Sequence, residues 1–328
     1  MKRILSLFRW SRAALLLAFL CIPIGFTAAE EYPNRTIKVL VGFPPGGGTD
    51  TAARVLGAAL AQELGQTVII ENKPGAAGRI AAAEVARVTP DGYTLLVTIG
   101  GHSIFGAIVQ DLPFDTVKGF DWISNIVTLP FYITVPADYE FKTLADLIAK
   151  AKAAPGTVSF GSTGPGSTHH LAPELLAIRT GTKFLHVPYR GEAPLLMAVM
   201  TGEVKFGLST PTLLVQNVQG GKLRALATTA AKRTSDLPDV PTVQEALGIK
   251  DYDVSTWFAL VGPAGMPPTV LAKLNGAVNK ALARPEVRAR LAAVGQVDPT
   301  TSQAMHDRVE RELAMWTETV TKAEIPKQ

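Results

Sequence analysis

A single cysteine, Cys21, occurs in the 328 residues. It falls in an N-terminal stretch laid out like an export signal. Lys2, Arg3, Arg9 and Arg12 make a basic start, Ala13 to Ile22 an apolar run, and Thr27-Ala28-Ala29 a small-residue cleavage site before Glu30. A chain cleaved there has no disulfide, no thiol nucleophile and no cysteine metal site, even in an oxidising compartment. Long apolar runs are scarce too. Pro23 and Gly25 interrupt the first one, which falls short of the ~20 residues a spanning helix needs, so it reads as a leader and not an anchor. A lipoprotein is disfavoured because Phe19 and Leu20 precede Cys21 where small residues belong. An excess of one charge is also missing. The whole chain holds 32 Lys+Arg against 28 Asp+Glu, a net charge of +4. The leader's four basic residues supply that excess, and removing them leaves 28 against 28. The basic pI of about 9.1 therefore reflects the leader and gives no reason to expect a nucleic-acid partner.

Catalytic signatures are absent as well. There is no H-E-x-x-H, and no G-x-S-x-G elbow surrounds Ser162, Ser167 or any other serine. His169 and His170 are adjacent, so on a helix they point about 100° apart and do not form the i, i+4 pair of a zincin. The expectation is a protein that is not an enzyme and carries no cofactor or metal.

What is present is an alternation of strand-like and helix-like segments over some 300 residues, more than one core usually holds. Ile37 to Val41 is an apolar strand run. Phe43-Pro44-Pro45-Gly46-Gly47-Gly48-Thr49-Asp50 follows, then a helical pattern, then a second strand run from Val68 to Glu71. Glycine lets the backbone approach a ligand closely, and the helix behind offers unpaired N–H groups and a positive dipole end. Together these make an anion seat. The loop contains no lysine and lacks the G-x-G-x-x-G spacing, so a carboxylate suits it as readily as a nucleotide. Asp50 has two readings, a general base or an N-terminal charge that orders the loop. Asn72 to Gly78 is again glycine-rich and opens a helix to about Val88. Tyr93 to Ile99 is a strand ended by Gly100-Gly101-His102-Ser103. This βαβαβ order predicts a mostly parallel sheet with ligands at its carboxyl edge.

A second series begins after Ile123 to Pro136, which reads as two short extended runs at a crossing point. Thr143 and Asp146 form a capping box for a helix from Leu144 to Ala153. Val158 to Phe160 is a strand, and Gly161-Ser162-Thr163-Gly164-Pro165-Gly166-Ser167-Thr168 is a second glycine loop before a helix to about Arg179. Further strands are Phe184 to Val187, Val204 to Leu208, Leu223 to Thr228 and Val254 to Val261, the last returning the chain to the first domain. Met305, Val309, Leu313, Trp316 and Val320 make one apolar stripe on a packing helix. Glycine-rich βα turns are ordinary; it is the pair of loops that points to a cleft. Two helix N-termini facing each other would hold a carboxylate through hydroxyl and N–H donors, without the desolvation cost of a buried ion pair. Arg190 could pair with a ligand carboxylate or lie on the surface.

The residues also resemble a known family. YPNRTIKVLVGFPPGGGTD, ENKPGAAG, PFDTVKGFDWIS, GSTGPGSTHHLAPELL, HVPYRGEAPLL, GKLRALATTAAKRTSDLPDVPTV and VGPAGMPPTVLAKLN are similar to the periplasmic solute receptors of tripartite tricarboxylate transporters, the Bug or TctC family. The resemblance runs from about Tyr32 to the end. It implies an α/β fold, a two-domain type II periplasmic binding protein (Venus flytrap), with domain 1 at residues 30–130 plus 254–328 and domain 2 at 131–253. It implies a periplasmic monomer that captures a small organic acid in the cleft and delivers it to membrane permease subunits. Phe43, Gly47, Thr49 and Asp50 fall in the first pincer loop; Ser162, Ser167, Thr168 and His170 match the second; Tyr189 and Gly191 match a flanking loop. Arg190 stands where lysine is more usual. Ser209-Thr210 replaces a segment that in many relatives carries an aspartate, and Pro165 and His169 are uncommon in the second loop. Arg190, Ser209 and His169 are therefore the positions expected to face the far part of the ligand. Loss of the acidic group favours a plain carboxylate over an amino acid: an aliphatic dicarboxylate, a tricarboxylate or an aromatic acid. A sensor subunit for a signalling partner is the alternative, and an exported hydrolase the rival from another class.

Overall fold

Strand β1 (Ile37–Val41) is apolar on both faces apart from Lys38, as a strand buried between helices must be. The computed structural model describes residues 31–328; the export signal expected at 1–29 lies outside them. After β1 come α1 (Gly48–Leu64), β2 (Val68–Asn72), a 3₁₀ turn at Ala76–Gly78, α2 (Arg79–Val85), β3 (Thr94–Ile99), α3 (Gly101–Ile108) and β4 (Phe120–Pro130). The second series is β5 (Tyr132–Pro136), α4 (Leu144–Ala153), β6 (Ser159–Ser162), α5 (Thr168–Thr180), β7 (Leu185–Pro188), α6 (Glu192–Met200), β8 (Phe206–Ser209), α7 (Pro211–Gln219), β9 (Leu223–Thr228) and α8 (Val243–Leu247). The chain closes with β10 (Ser255–Pro263), α9 (Pro268–Ala283), α10 (Pro285–Leu291), β11 (Gln296–Val297) and α11 (Ser302–Lys322).

These strands form two sheets, in the orders β11-β4-β10-β3-β1-β2 and β7-β6-β8-β5-β9. The βα units pair in parallel, with Lys38 opposite both Ile69 and Thr94, and Phe160 opposite both His186 and Phe206. The sheets are mixed where the βαβαβ order predicts mostly parallel ones. The cause is the crossing. β10 re-enters the first sheet antiparallel between β3 and β4, and β5 enters the second antiparallel between β8 and β9.

Phe131 sits at the turn between β4 and β5, and Thr229 fastens it. The Thr229 N–H and hydroxyl both approach the Phe131 carbonyl, and the Phe131 N–H donates to Thr229 Oγ1. Both passages between the sheets are thus stitched to each other. Apolar packing also crosses. In α11, Met305 and Val309 join Trp122 and Trp257 under the first sheet, while Trp316 and Val320 join Phe160 and Leu175 under the second. Residues 35–328 accordingly form one compact unit.

The Thr143 capping box is present, its side chain accepting from Asp146 N–H and the Asp146 carboxylate accepting from Thr143 N–H. Gly100 to Ser103 ends β3 at Ile99 as expected, and the same residues also open α3. His102 inserts into a ring cluster with Phe114, Phe120 and Trp122. Burial holds it neutral, its pKa lowered to about 4.

Candidate functional site

The first glycine loop turns through Gly46 at φ 86° and enters α1, whose N-cap, Gly47, supplies no side-chain acceptor. The N–H groups of Gly48, Thr49 and Asp50 precede the first helical donor, Thr51 N–H to Gly47 O, and have no partner among the described residues. Asp50 is buried and spoken for. Its carboxylate accepts from Gly46 N–H at 2.9 Å, Arg54 Nε at 2.9 Å and Asn72 Nδ2 at 2.8 Å. Burial alone would raise its pKa; the bonds from Arg54, Gly46 and Asn72 outweigh that and lower it to about 2. Asn72 also donates to the Phe43 carbonyl. The reading of Asp50 as the group that orders the loop fits this geometry, and a general base does not.

The second loop is tied down from below. Ser167 caps α5, donating its hydroxyl to Gly164 O at 2.7 Å and accepting from His170 N–H. His170 Nδ1 accepts from Gly166 N–H at 3.1 Å, and its ring stacks on His186 at 3.9 Å. Ser162 Oγ accepts from Gly164 N–H and shares a second hydrogen bond with His186 Nε2, 2.6 Å away. Ser162 is fully buried, so this serine–histidine contact is a brace under the loop and not a nucleophile. His170 must be neutral to accept. Burial, then the adjacent His186, lowers its pKa to about 4. A lowered histidine pKa stabilises the fold fully above about 6.5 and loses that contribution as pH falls towards 4. The melting temperature is expected to drop across that window, and His170→Gln, which keeps an acceptor, should flatten the drop. An unchanged profile in the variant would place the effect on His102, His169 or His186, whose pKa values burial also lowers.

Both loops reach one cavity of about 510 Å³. Thr49, Ser167, Thr168 and His169 line it. The hydroxyls of Thr49 and Thr168 have no hydrogen-bond partner among the described residues. His169 is neutral because burial lowers its pKa to about 4; its edge meets Phe131, and its buried Nε2 has no partner among the described residues. The remaining wall is mainly apolar, from Ile104, Phe105 and Ile108 of α3, Leu129 and Phe131 at the crossing, and Phe258 of β10. Two larger cavities, of about 560 and 650 Å³, touch neither glycine loop.

The other expected residues lie off this wall. Phe43 packs against Gly78, and Gly47 is exposed. Ser162 and His170 are the brace. Tyr189 donates to Glu203, Arg190 is exposed, and Gly191 (φ 112°) caps α6. Ser209 is buried against Thr134; its neighbour Thr210 lines the cavity instead. Residues that the sequence left unmarked are Arg79, Thr256 and Gln328. Gln328 bridges the walls, its N–H donating to Ile108 O and its Nε2 to Pro165 O.

Residues 52–324 match the model of the tripartite tricarboxylate transporter family receptor. The chain belongs to that family. The receptor is similar to protein BugT of Bordetella pertussis, 34% identical over 82% of each chain. Two solved Rhodopseudomonas palustris proteins are also similar. Rpa4515, with adipate, is 32% identical with a TM-score of 0.73, covering 91% of this chain and 100% of that one. MatC, with bound malate, is 32% identical with a TM-score of 0.70, covering 88% and 100%. Family and fold are those of periplasmic solute-binding proteins, which are not enzymes.

Proposed function

We propose that this receptor captures a small organic carboxylate between its two glycine loops and delivers it to the membrane permease of a tripartite tricarboxylate transporter. In this reading residues 30–130 with 254–328 form one half of the clamp and 131–253 the other, and the chain reaches the periplasm through its cleavable leader. The observation that carries the reading is the pairing of Thr49 and Thr168. Each stands in the first turn of a helix, with an unpartnered hydroxyl and free N–H groups, on the wall of one cavity that has no acidic side chain. A carboxylate needs such donors, each worth about 1.5–3 kcal/mol to a charged acceptor. The malate and adipate held by the two relatives support the same ligand class.

A thermal-shift screen of organic acids tests this. An acid at about 100 times its Kd should stabilise the protein by about 2.7 kcal/mol and be recovered unchanged. Thr168→Ala should weaken it about tenfold with the fold intact. Ser167→Ala should instead cost about 1 kcal/mol of stability, because that hydroxyl caps α5. A screen in which no acid shifts the melt, or in which the bound acid is turned over, would sink the reading.

A further inference from the structure

Arg79 is the one Lys or Arg side chain on the cavity wall, and no Asp or Glu shares that wall. Its Nε donates to Ala76 O at 3.0 Å, and its guanidinium lies 5.6 Å from the Phe105 ring centre. Those contacts fix the plane of the group and leave its terminal nitrogens without a partner among the described residues. Nearby cations are differently placed: Lys73 is paired with Glu84 and Glu71, and Arg54 with Asp50. Arg79 is half-buried, and its permanently charged fork beside an apolar wall has the geometry to take a carboxylate bidentately.

We propose that Arg79 makes the receptor selective for dicarboxylates with an apolar spacer, one carboxylate held by the Thr49 and Thr168 seat and the other by Arg79. The inference rests on the carboxylate-receptor reading above. The spacer follows from the mostly apolar wall: Ile104, Ile108, Phe131 and Phe258 offer nothing to an extra hydroxyl or third carboxylate, and beyond the seat and Arg79 the polar groups are few, among them His169, Thr210, Thr256 and Gln328. Burying such groups unbonded is costly. The flat Phe105 ring and the 510 Å³ volume admit either a methylene chain or an aromatic ring.

Calorimetry with matched pairs tests it: hexanoate against adipate, and benzoate against terephthalate, on wild type, Arg79→Gln and Arg79→Lys. Wild type should prefer each diacid by about tenfold to a hundredfold. Arg79→Gln should erase that preference, leave monoacid affinity within about twofold and keep the melting temperature of the free protein. Arg79→Lys should retain part of the preference, since an ammonium supplies the charge without the fork. A preference that survives in Arg79→Gln, or an equal loss for both acids of a pair, overturns the assignment while leaving the carboxylate reading intact. A wild type that binds no acid of either pair overturns both.

Discussion

Trp316→Ala is expected to destabilise the protein by about 3–5 kcal/mol, the usual range for deleting a fully buried tryptophan. Trp316 is 3% exposed and lies among Phe131, Leu171 and Tyr252. The helix that carries it packs on α3, which walls the cavity, and on α5, which begins at the second glycine loop. The void would therefore open between the two supports of the site. Urea unfolding should show a lower midpoint, and ligand affinity should fall with it. A loss below about 1 kcal/mol would mean that the neighbouring side chains collapse into the space, and the helix would then be no more than a cover.

Asp50→Ala is expected to cost about 2–3 kcal/mol. The carboxylate satisfies three donors from three segments, and its removal leaves Gly46 N–H and Asn72 Nδ2 without acceptors. Breaking a fully buried ion pair costs about 3–5 kcal/mol. Arg54 is half exposed and water will rescue it, so the smaller figure applies. The pH dependence gives an independent check. A carboxyl lowered from 3.8 to about 2 contributes about 2 kcal/mol. That contribution is complete above about pH 3.8 and lost as pH falls towards 2. The wild-type stability curve should bend in that window and the variant curve should not. Ligand binding should weaken too, because Asp50 and Asn72 together set the path of the loop from Phe43 to Gly46.

The elements with strong periodic or capping signals were legible in the sequence. β1, β9 and the capped helix α4 lie where their patterns place them, and the tail stripe from Met305 to Val320 is buried. Both glycine loops open helices as expected and share one cavity. What stayed hidden depended on side-chain direction and on contacts between distant loops. Ser209 and Thr210 are consecutive, but Ser209 ends β8 and packs inward against Thr134, while Thr210, the N-cap of α7, lines the cavity. Arg79 looks like an ordinary first residue of a short helix. It reaches the site because Gly42 and Gly78 touch backbone to backbone: a Cβ on Gly42 would lie 2.5 Å from Gly78 Cα. The available cue was the ENKPGAAG loop, glycine-rich at the carboxyl end of a strand beside β1. α3 escaped because its eight residues, GHSIFGAI, are too short and too apolar to display a helical period.

α11 serves as a strut across the crossing. Swinging the two sheets wide apart would strip Trp316 and Val320, or Met305 and Val309, from their packing, a cost of several kcal/mol. Wide opening is thereby made costly, so an arriving acid is expected to meet a cavity already largely formed. Preorganisation of that kind loses little contact energy to ordering, so rigid shape decides which acids are admitted.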